Sequence, residues 1–422
     1  MQKIVIIGAG IGGLYTALAF DESLNKEKYT FIIYERQANI GGLWNFVEDV
    51  EIDSSDGLPV HSAMYKNLMT NTTTELVELN FTNLFNEDEQ KYVSRKRYLD
   101  ALIDLAKKYD LNKYIKCCHY VNKVKRCDKG FVLDVMNLEN HTAFSEECDF
   151  VIVAAGRYSI PKWPQAEREY LKNFSGEYIH SKDIKDTARY SEKRVLCIGS
   201  GFSALDIALH LHKAGAPLVT VATKPRLVMA NCKYEWNDHF NAVLSPIKSV
   251  DGFRVTFENG ICAEFDVIIA CTGYLCEFPF IAQDLQPNNF NSVFPHLYEV
   301  IFNANYPKLM FVGALYALLP KHLSYLQGHY ISHILNNNME TLPNKEQMEK
   351  AIQHMYEELP NDTTMESLLK FHYKYYYRLQ TASPRKVLDK RYERLLKYNF
   401  ERLFTGRHLE EMNKGLNDFD YA

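Results

Sequence analysis

Nine cysteines are scattered through 422 residues, and no Cys-x-x-Cys pair exists; only Cys117 and Cys118 adjoin. That spacing excludes a redox dithiol or a zinc clasp and leaves mostly structural, reduced thiols. Charge of one sign is lacking as well. With 48 basic and 53 acidic residues the net charge is -5, so nothing in the balance selects nucleic acid or an anionic membrane surface. No apolar run approaches the roughly 20 residues that cross a bilayer, and the first strand starts so near the N-terminus that no signal sequence fits ahead of it. A soluble, cytoplasmic protein is expected. Clustered metal ligands, a Ser-His-Asp set and paired carboxylates at useful spacing are also missing, so no metal site is expected and any reactivity must come from a bound group.

What the chain does have is one arrangement used twice. KIVIIGAGIGGLYTALAF opens it, and RVLCIGSGFSALDIALHL begins at Arg194. Each is an apolar strand, a turn of small residues, then an amphipathic helix. Small residues let backbone approach a pyrophosphate, and the helix N-terminus offers it unpaired N–H groups and positive potential. The first turn carries Gly8, Gly10, Gly12 and Gly13; the second carries Gly199, Ser200, Gly201, Phe202, Ser203 and Ala204. Two cradles point to two dinucleotides.

The acid that should follow such a turn is present once. Glu35 ends the second strand, where a carboxylate accepts hydrogen bonds from ribose hydroxyls and repels a 2′-phosphate. In the second unit the matching strand ends in Ala222-Thr-Lys224-Pro-Arg226, and cations there favour NADP over NAD. Lysine is a point charge rather than a planar fork, which softens that selectivity. Two strands also end alike, Asp149 to Gly156 and Asp266 to Gly273, each followed by an aromatic residue and then proline. The remaining apolar runs read as buried parallel strands between helices. The expected fold is α/β: two Rossmann-like dinucleotide-binding domains, the second inserted in the first, with a helical C-terminal extension. The boundaries expected are 1–164 and 284–340 for the first dinucleotide-binding domain, 165–283 for the second and 341–422 for the Tyr-rich extension.

Several segments resemble the flavin-containing monooxygenase family, most like its soluble bacterial trimethylamine type. Glu35-Arg-Gln-Ala-Asn-Ile-Gly41-Gly42-Leu43-Trp44 is similar to that family's second flavin motif. MYKNLMTNTTTELVEL resembles its Tyr-x-x-Leu-x-Thr-Asn segment, and the run from Phe174 through Gly176 and His180 to Ile184 resembles its signature. FDVIIACTGYLCEFPF and YPKLMFVG match its late strands. The resemblance spans residue 1 to about 335 and implies FAD in the first cradle, NADPH/NADP+ in the second, and hydride transfer between them. It further implies a flavin hydroperoxide that delivers oxygen from O2 to the nitrogen or sulfur of a small amine or sulfide, with no enzyme nucleophile.

Carried onto this sequence, the resemblance makes Asn71 the catalytic candidate, since a side-chain amide both donates and accepts; without it, Asn71 reads as a turn former. Gln37, Gly42, Leu43, Trp44, His61, Thr70, Val124, Thr272, Gly273 and Gln327 are its further cofactor-binding candidates. His180 reads as structural, in the linker between the units. Three positions depart from the pattern: Ile184 replaces an aromatic, Phe202 a tyrosine and Tyr325 an acid. A Baeyer–Villiger monooxygenase, an NADPH oxidase and a flavin-bearing sensor or assembly protein stay open as alternatives, and so does a homodimer.

Overall fold

The structure is a computed structural model of the chain and describes residues 1–48, 62–86, 88–164, 168–199, 201–222, 241–287, 295–317, 319–358 and 365–405. His61, Ser200, Lys224 and Arg226 lie outside the described residues.

Two five-stranded parallel sheets carry the molecule, and they share one plan. In the first, the central strand β1 (Gln2–Ile7) pairs on one side with β2 (Tyr29–Tyr34) and on the other with β7 (Phe150–Val153). β3 (Ile115–Lys116) and β18 (Leu309–Phe311) complete the edges. In the second, β10 (Arg194–Ile198) lies between β11 (Leu218–Ala222) and β16 (Val267–Ala270), with β12 (Asn241–Val243) and β9 (Glu177–His180) outside them. Both units insert an antiparallel three-stranded sheet before the last strand of the inner trio: β4 (His119–Arg126), β5 (Phe131–Asn137) and β6 (Thr142–Cys148) in one, and β13 (Ile247–Asp251), β14 (Arg254–Phe257) and β15 (Cys262–Glu264) in the other.

The aspartates noted before the two similar strands have one job. Asp149 accepts from the Lys3 N–H at 2.7 Å and Asp266 from the Arg194 N–H at 2.8 Å. Each carboxylate thus pins the first residue of the central strand to its neighbour. The chain re-enters the first sheet at β18, whose Leu309, Met310 and Phe311 pair with Val151, Ile152 and Val153.

Helix α1 (Ile11–Ser23) packs along α4 (Pro320–Asn336) at a contact that only glycine permits. A Cβ on Gly328 would lie 2.8 Å from the Ala19 Cβ and 3.0 Å from the Thr16 Cα. Between them in sequence come α2 (Arg95–Lys108) and α3 (Phe202–Lys213). The C-terminal helices α5 (Lys345–Glu357), α6 (Met365–Gln380) and α7 (Lys390–Thr405) follow. They are less an appendage than a wall of the core. Tyr375, Tyr376, Leu379, Leu388 and Leu396 belong to the same buried cluster as Ile4, Ile6 and Leu14 of the first unit. Among the described residues no helix is long and apolar enough to cross a membrane.

Candidate functional site

Both Gly-rich turns are built by close approach. Gly8 has φ +104°, and a Cβ there would lie 2.8 Å from the Ala154 carbonyl oxygen at the end of β7. Gly199 has φ +138°, and its Cβ would strike the Cys271 carbonyl at the end of β16. The two units therefore lock the turn against the neighbouring strand in the same way. Gly13 sits against the Gly8 carbonyl, where a side chain has no room, which brings α1 down onto the strand. Gly12 faces Ala154 at 3.2 Å.

The helix starts are as informative as the glycines. α1 begins at an N-cap Gly10 and α3 at an N-cap Gly201, and neither receives a side-chain cap. By contrast Ser94 caps α2 and Asn344 caps α5 through side-chain oxygens. An uncapped helix start leaves backbone donors and positive potential for an anion. Beyond Gly201 a Cβ would meet nothing within 4 Å, so the second turn faces open space. Phe202, half-buried, packs from the second unit onto the core cluster of the first; Ser203 is exposed and Ala204 buried.

Glu35 completes the first cradle from behind. Its carboxylate is buried, one oxygen accepting from the Ala9 N–H at 2.7 Å and the other from the Gln37 N–H at 2.9 Å. The acid read as a ribose acceptor is thus also the clamp that shapes the turn. Gln37 in turn accepts from the Asn45 amide at 2.6 Å. The following loop folds back onto the turn: Gly41 and Gly42 have φ +115° and +55°, and a Cβ on Gly42 would lie 2.8 Å from the Gly10 Cα. Leu43 offers its carbonyl to Ser62, and Trp44 stacks on Tyr98 with ring centres 3.8 Å apart.

Thr70 is buried and fixed, donating no more than it receives: its N–H binds the Val93 carbonyl and its hydroxyl accepts from the Val93 N–H at 3.1 Å. Asn71, next in the chain, is half-buried, and its amide has no hydrogen-bond partner among the described residues. An amide held by a rigid neighbour and left unspent is what a ligand-facing group requires.

Two of the cofactor candidates have partners within the protein. Gln327 has no accessible surface; its amide accepts from the Gly313 N–H at 3.0 Å and donates to the Tyr375 hydroxyl at 3.1 Å and the Val300 carbonyl. It ties the returning segment to α6. Val124 is equally buried, and its N–H and carbonyl bind Phe280 and Ala282, joining β4 to that segment. Of the departures, Ile184 fills an apolar cluster, and the Tyr325 hydroxyl donates to Glu22 on α1 at 2.5 Å.

The two units meet through their strand ends. β8 (Ile160–Pro161), just after Gly156, pairs antiparallel with β17 (Tyr274–Leu275), just after Gly273. The Lys162 N–H binds the Gly273 carbonyl at 2.9 Å, and the Thr272 hydroxyl donates to the Lys162 carbonyl. His180 closes the same junction. Its Nε2 donates to the Gly273 carbonyl at 3.1 Å while Nδ1 accepts from the Lys182 N–H, and burial lowers its pKa to about 4, so it stays neutral. Ligands of doubly wound sheets sit outside the carboxyl ends of the strands; here the chain just beyond those ends is joined by the β8–β17 ribbon.

Comparison with known proteins decides the family. Residues 1–245 and 239–383 match the model described as flavin-binding monooxygenase-like. The chain belongs to that family. This flavin-binding monooxygenase is 30% identical over 374 residues to the trimethylamine monooxygenase of Pelagibacter ubique, covering 86% of this chain and 82% of the relative. It is 30% identical to the senecionine N-oxygenase of Tyria jacobaeae, over 82% and 74% of the two chains. Its fold superposes on the crystal structure of the Tmm protein of Pelagibacter sp. strain HTCC7211 with a TM-score of 0.85 at 25% identity, covering 95% and 90%.

The monooxygenase is an enzyme that uses FAD and NADPH, and the residues present fit two such groups: two uncapped helix starts, two turns in which a side chain has no room, and a buried acid behind the first alone. Reduced flavin, when bound, supplies the chemistry that activates O2. The two turns would seat the pyrophosphates of these groups at their helix starts.

Proposed function

We propose that the enzyme transfers one oxygen atom of O2 to the nitrogen or sulfur of a small amine or sulfide. NADPH and a proton are consumed, and the second oxygen leaves as water. The observation that carries this reading is the junction of the two cradles: the chain beyond their strand ends is tied by one ribbon, and no side-chain nucleophile is required. The names of the relatives support a nitrogen or sulfur acceptor, and trimethylamine is the first substrate to try.

In this reading Gly8, Gly10, Gly12, Gly13, Glu35, Gln37, Gly42, Leu43 and Trp44 form the FAD cradle, and Gly199 to Ala204 with Thr272 and Gly273 the NADPH side. The second unit is an insertion in the first, which the pairing of β18 with β7 supports. Lys224 and Arg226 serve as the 2′-phosphate contacts. Asn71 orients the reacting groups from its fixed loop.

The test is product analysis under air with NADPH and trimethylamine, a dialkyl sulfide or a cyclic ketone. An N-oxide or sulfoxide formed in step with NADPH loss is expected. Lactone from the ketone, or hydrogen peroxide alone, would overturn the reading. N71A should keep its flavin and divert at least ten-fold more of the NADPH into hydrogen peroxide; unchanged coupling would remove Asn71 from the site.

A further inference from the structure

Arg157 stands where the two units meet, and its charge is uncommitted. It follows Gly156 at the end of β7, three residues beyond the Ala154 carbonyl that abuts Gly8. Its guanidinium donates to the Ala314 carbonyl at 2.9 Å and forms no ion pair with any carboxylate among the described residues. A half-buried cation held by a neutral acceptor has unspent donors and an unbalanced charge.

Three tyrosines gather at this junction, each delivered by a strand end of the two sheets. Tyr158 follows Arg157, Tyr274 follows Gly273, and Tyr316 follows β18 through Gly313 and Ala314. Tyr158 meets Tyr274 edge-on with ring centres 5.6 Å apart, and Tyr274 meets His180 at 5.3 Å. The guanidinium carbon lies 5.5 Å from the Tyr316 ring centre, and the Tyr316 carbonyl is anchored by His372 Nε2 of α6 at 2.9 Å.

Tyr158 and Tyr316 keep 37% and 40% of their surface accessible, yet burial pushes both phenols above their ordinary pKa. Aromatic faces suit a thioether or alkyl amine, and a guanidinium fork suits a carboxylate.

We propose that Arg157, with Tyr316 beside it and Tyr158 and Tyr274 at the same junction, anchors a carboxylate carried by the substrate, so that carboxylate-bearing sulfides and amines are the preferred class. This rests on the heteroatom-oxygenation reading and adds the charge of the substrate to it.

The test uses the flavin-loaded enzyme and a matched pair, 3-(methylthio)propanoate and its uncharged amide. The wild type should show a kcat/KM at least ten-fold higher for the carboxylate. R157Q should collapse that ratio to within about two-fold, chiefly through KM, and R157K should restore part of it. Equal kcat/KM for the pair in the wild type, or an unchanged ratio in R157Q, overturns the proposal. A cofactor phosphate is the other anion available: an R157Q variant that loses NADP+ affinity in equilibrium dialysis while keeping the carboxylate preference also overturns it. If neither sulfide is oxygenated, dialysis of the propanoate itself decides the anchor. Binding to wild type that drops ten-fold in R157Q sustains it, and equal binding ends it.

Discussion

At the residue scale, the largest effect assigned here belongs to Glu35, which does two things with one carboxylate. It clamps the turn by accepting from Ala9 and Gln37, and in doing so it fixes the geometry that the pyrophosphate needs. E35Q turns one accepting oxygen into a donor facing an N–H. A charge-assisted bond of this kind is worth about 1.5–3 kcal/mol, more when a buried partner is left unsatisfied. The variant should unfold at lower denaturant and be isolated with less than half the FAD content of wild type, read from flavin absorbance per chain. Full flavin content would reduce Glu35 to a surface-type acid. Gly8, Gly199 and Glu35 were legible in the sequence because spacing alone imposes their roles. Gln327 and Val124 were not, because whether a polar or apolar side chain faces a ligand or a neighbouring helix depends on packing that spacing does not encode. Arg157 went unread for the same reason, although the aromatic residues after Gly156 and Gly273 marked its neighbourhood.

At the element scale, helix α3 carries a buried polar pair that has no counterpart in α1. Asp206 is held off water with one oxygen unpartnered, and burial pushes its pKa to about 7. His210, one turn on, lies 3.9 Å away and is held near 4 by burial and Lys213. Folded Asp206 binds its proton more tightly than an unfolded aspartate near 3.9, so its stability contribution is full below about pH 4 and is lost as pH rises to about 7. Asparagine does not titrate. D206N should therefore gain on wild type across that window, levelling above pH 7 at roughly 2–4 kcal/mol, measured by urea unfolding at pH 4.5 and 8. A gap that narrows with rising pH would contradict the burial. His210 acts in the opposite sense, its contribution falling away below about pH 6.5 in both proteins. For the α1–α4 pair, G328L forces a side chain into the Ala19 and Thr16 contact. Overpacking of this kind costs about 1–3 kcal/mol, and the denaturant midpoint should fall accordingly.

At the scale of the whole molecule, the tail decides whether the first unit exists. Leu369, Tyr375, Tyr376, Leu379, Val387, Leu388 and Leu396 are buried in the cluster that covers the first sheet. Each such side chain contributes about 1.5–3 kcal/mol when buried, and the seven together are as large as the about 5–15 kcal/mol by which a typical protein is stable. A chain ending at residue 340 should be insoluble or flavin-free; a soluble fragment with full flavin content would show the tail to be dispensable. The tail also reaches the junction of the two units, since His372 holds the Tyr316 carbonyl.

Local rules determined much of this protein by themselves. β-Branched runs make the strands, positive φ and close approach demand glycine at the two turns, and an acid behind only one of them separates two kinds of nucleotide. Those features are short-range, so spacing along the chain reports them. The tertiary structure alone decided which polar groups are spent and which are left over: the amide of Gln327 consumed by the core, and, among the described residues, that of Asn71 without a hydrogen-bond partner and Arg157 without a counter-ion. Such outcomes depend on segments distant in the chain meeting in the fold, as Arg157 after β7 does with Ala314 after β18, and no local pattern carries that information.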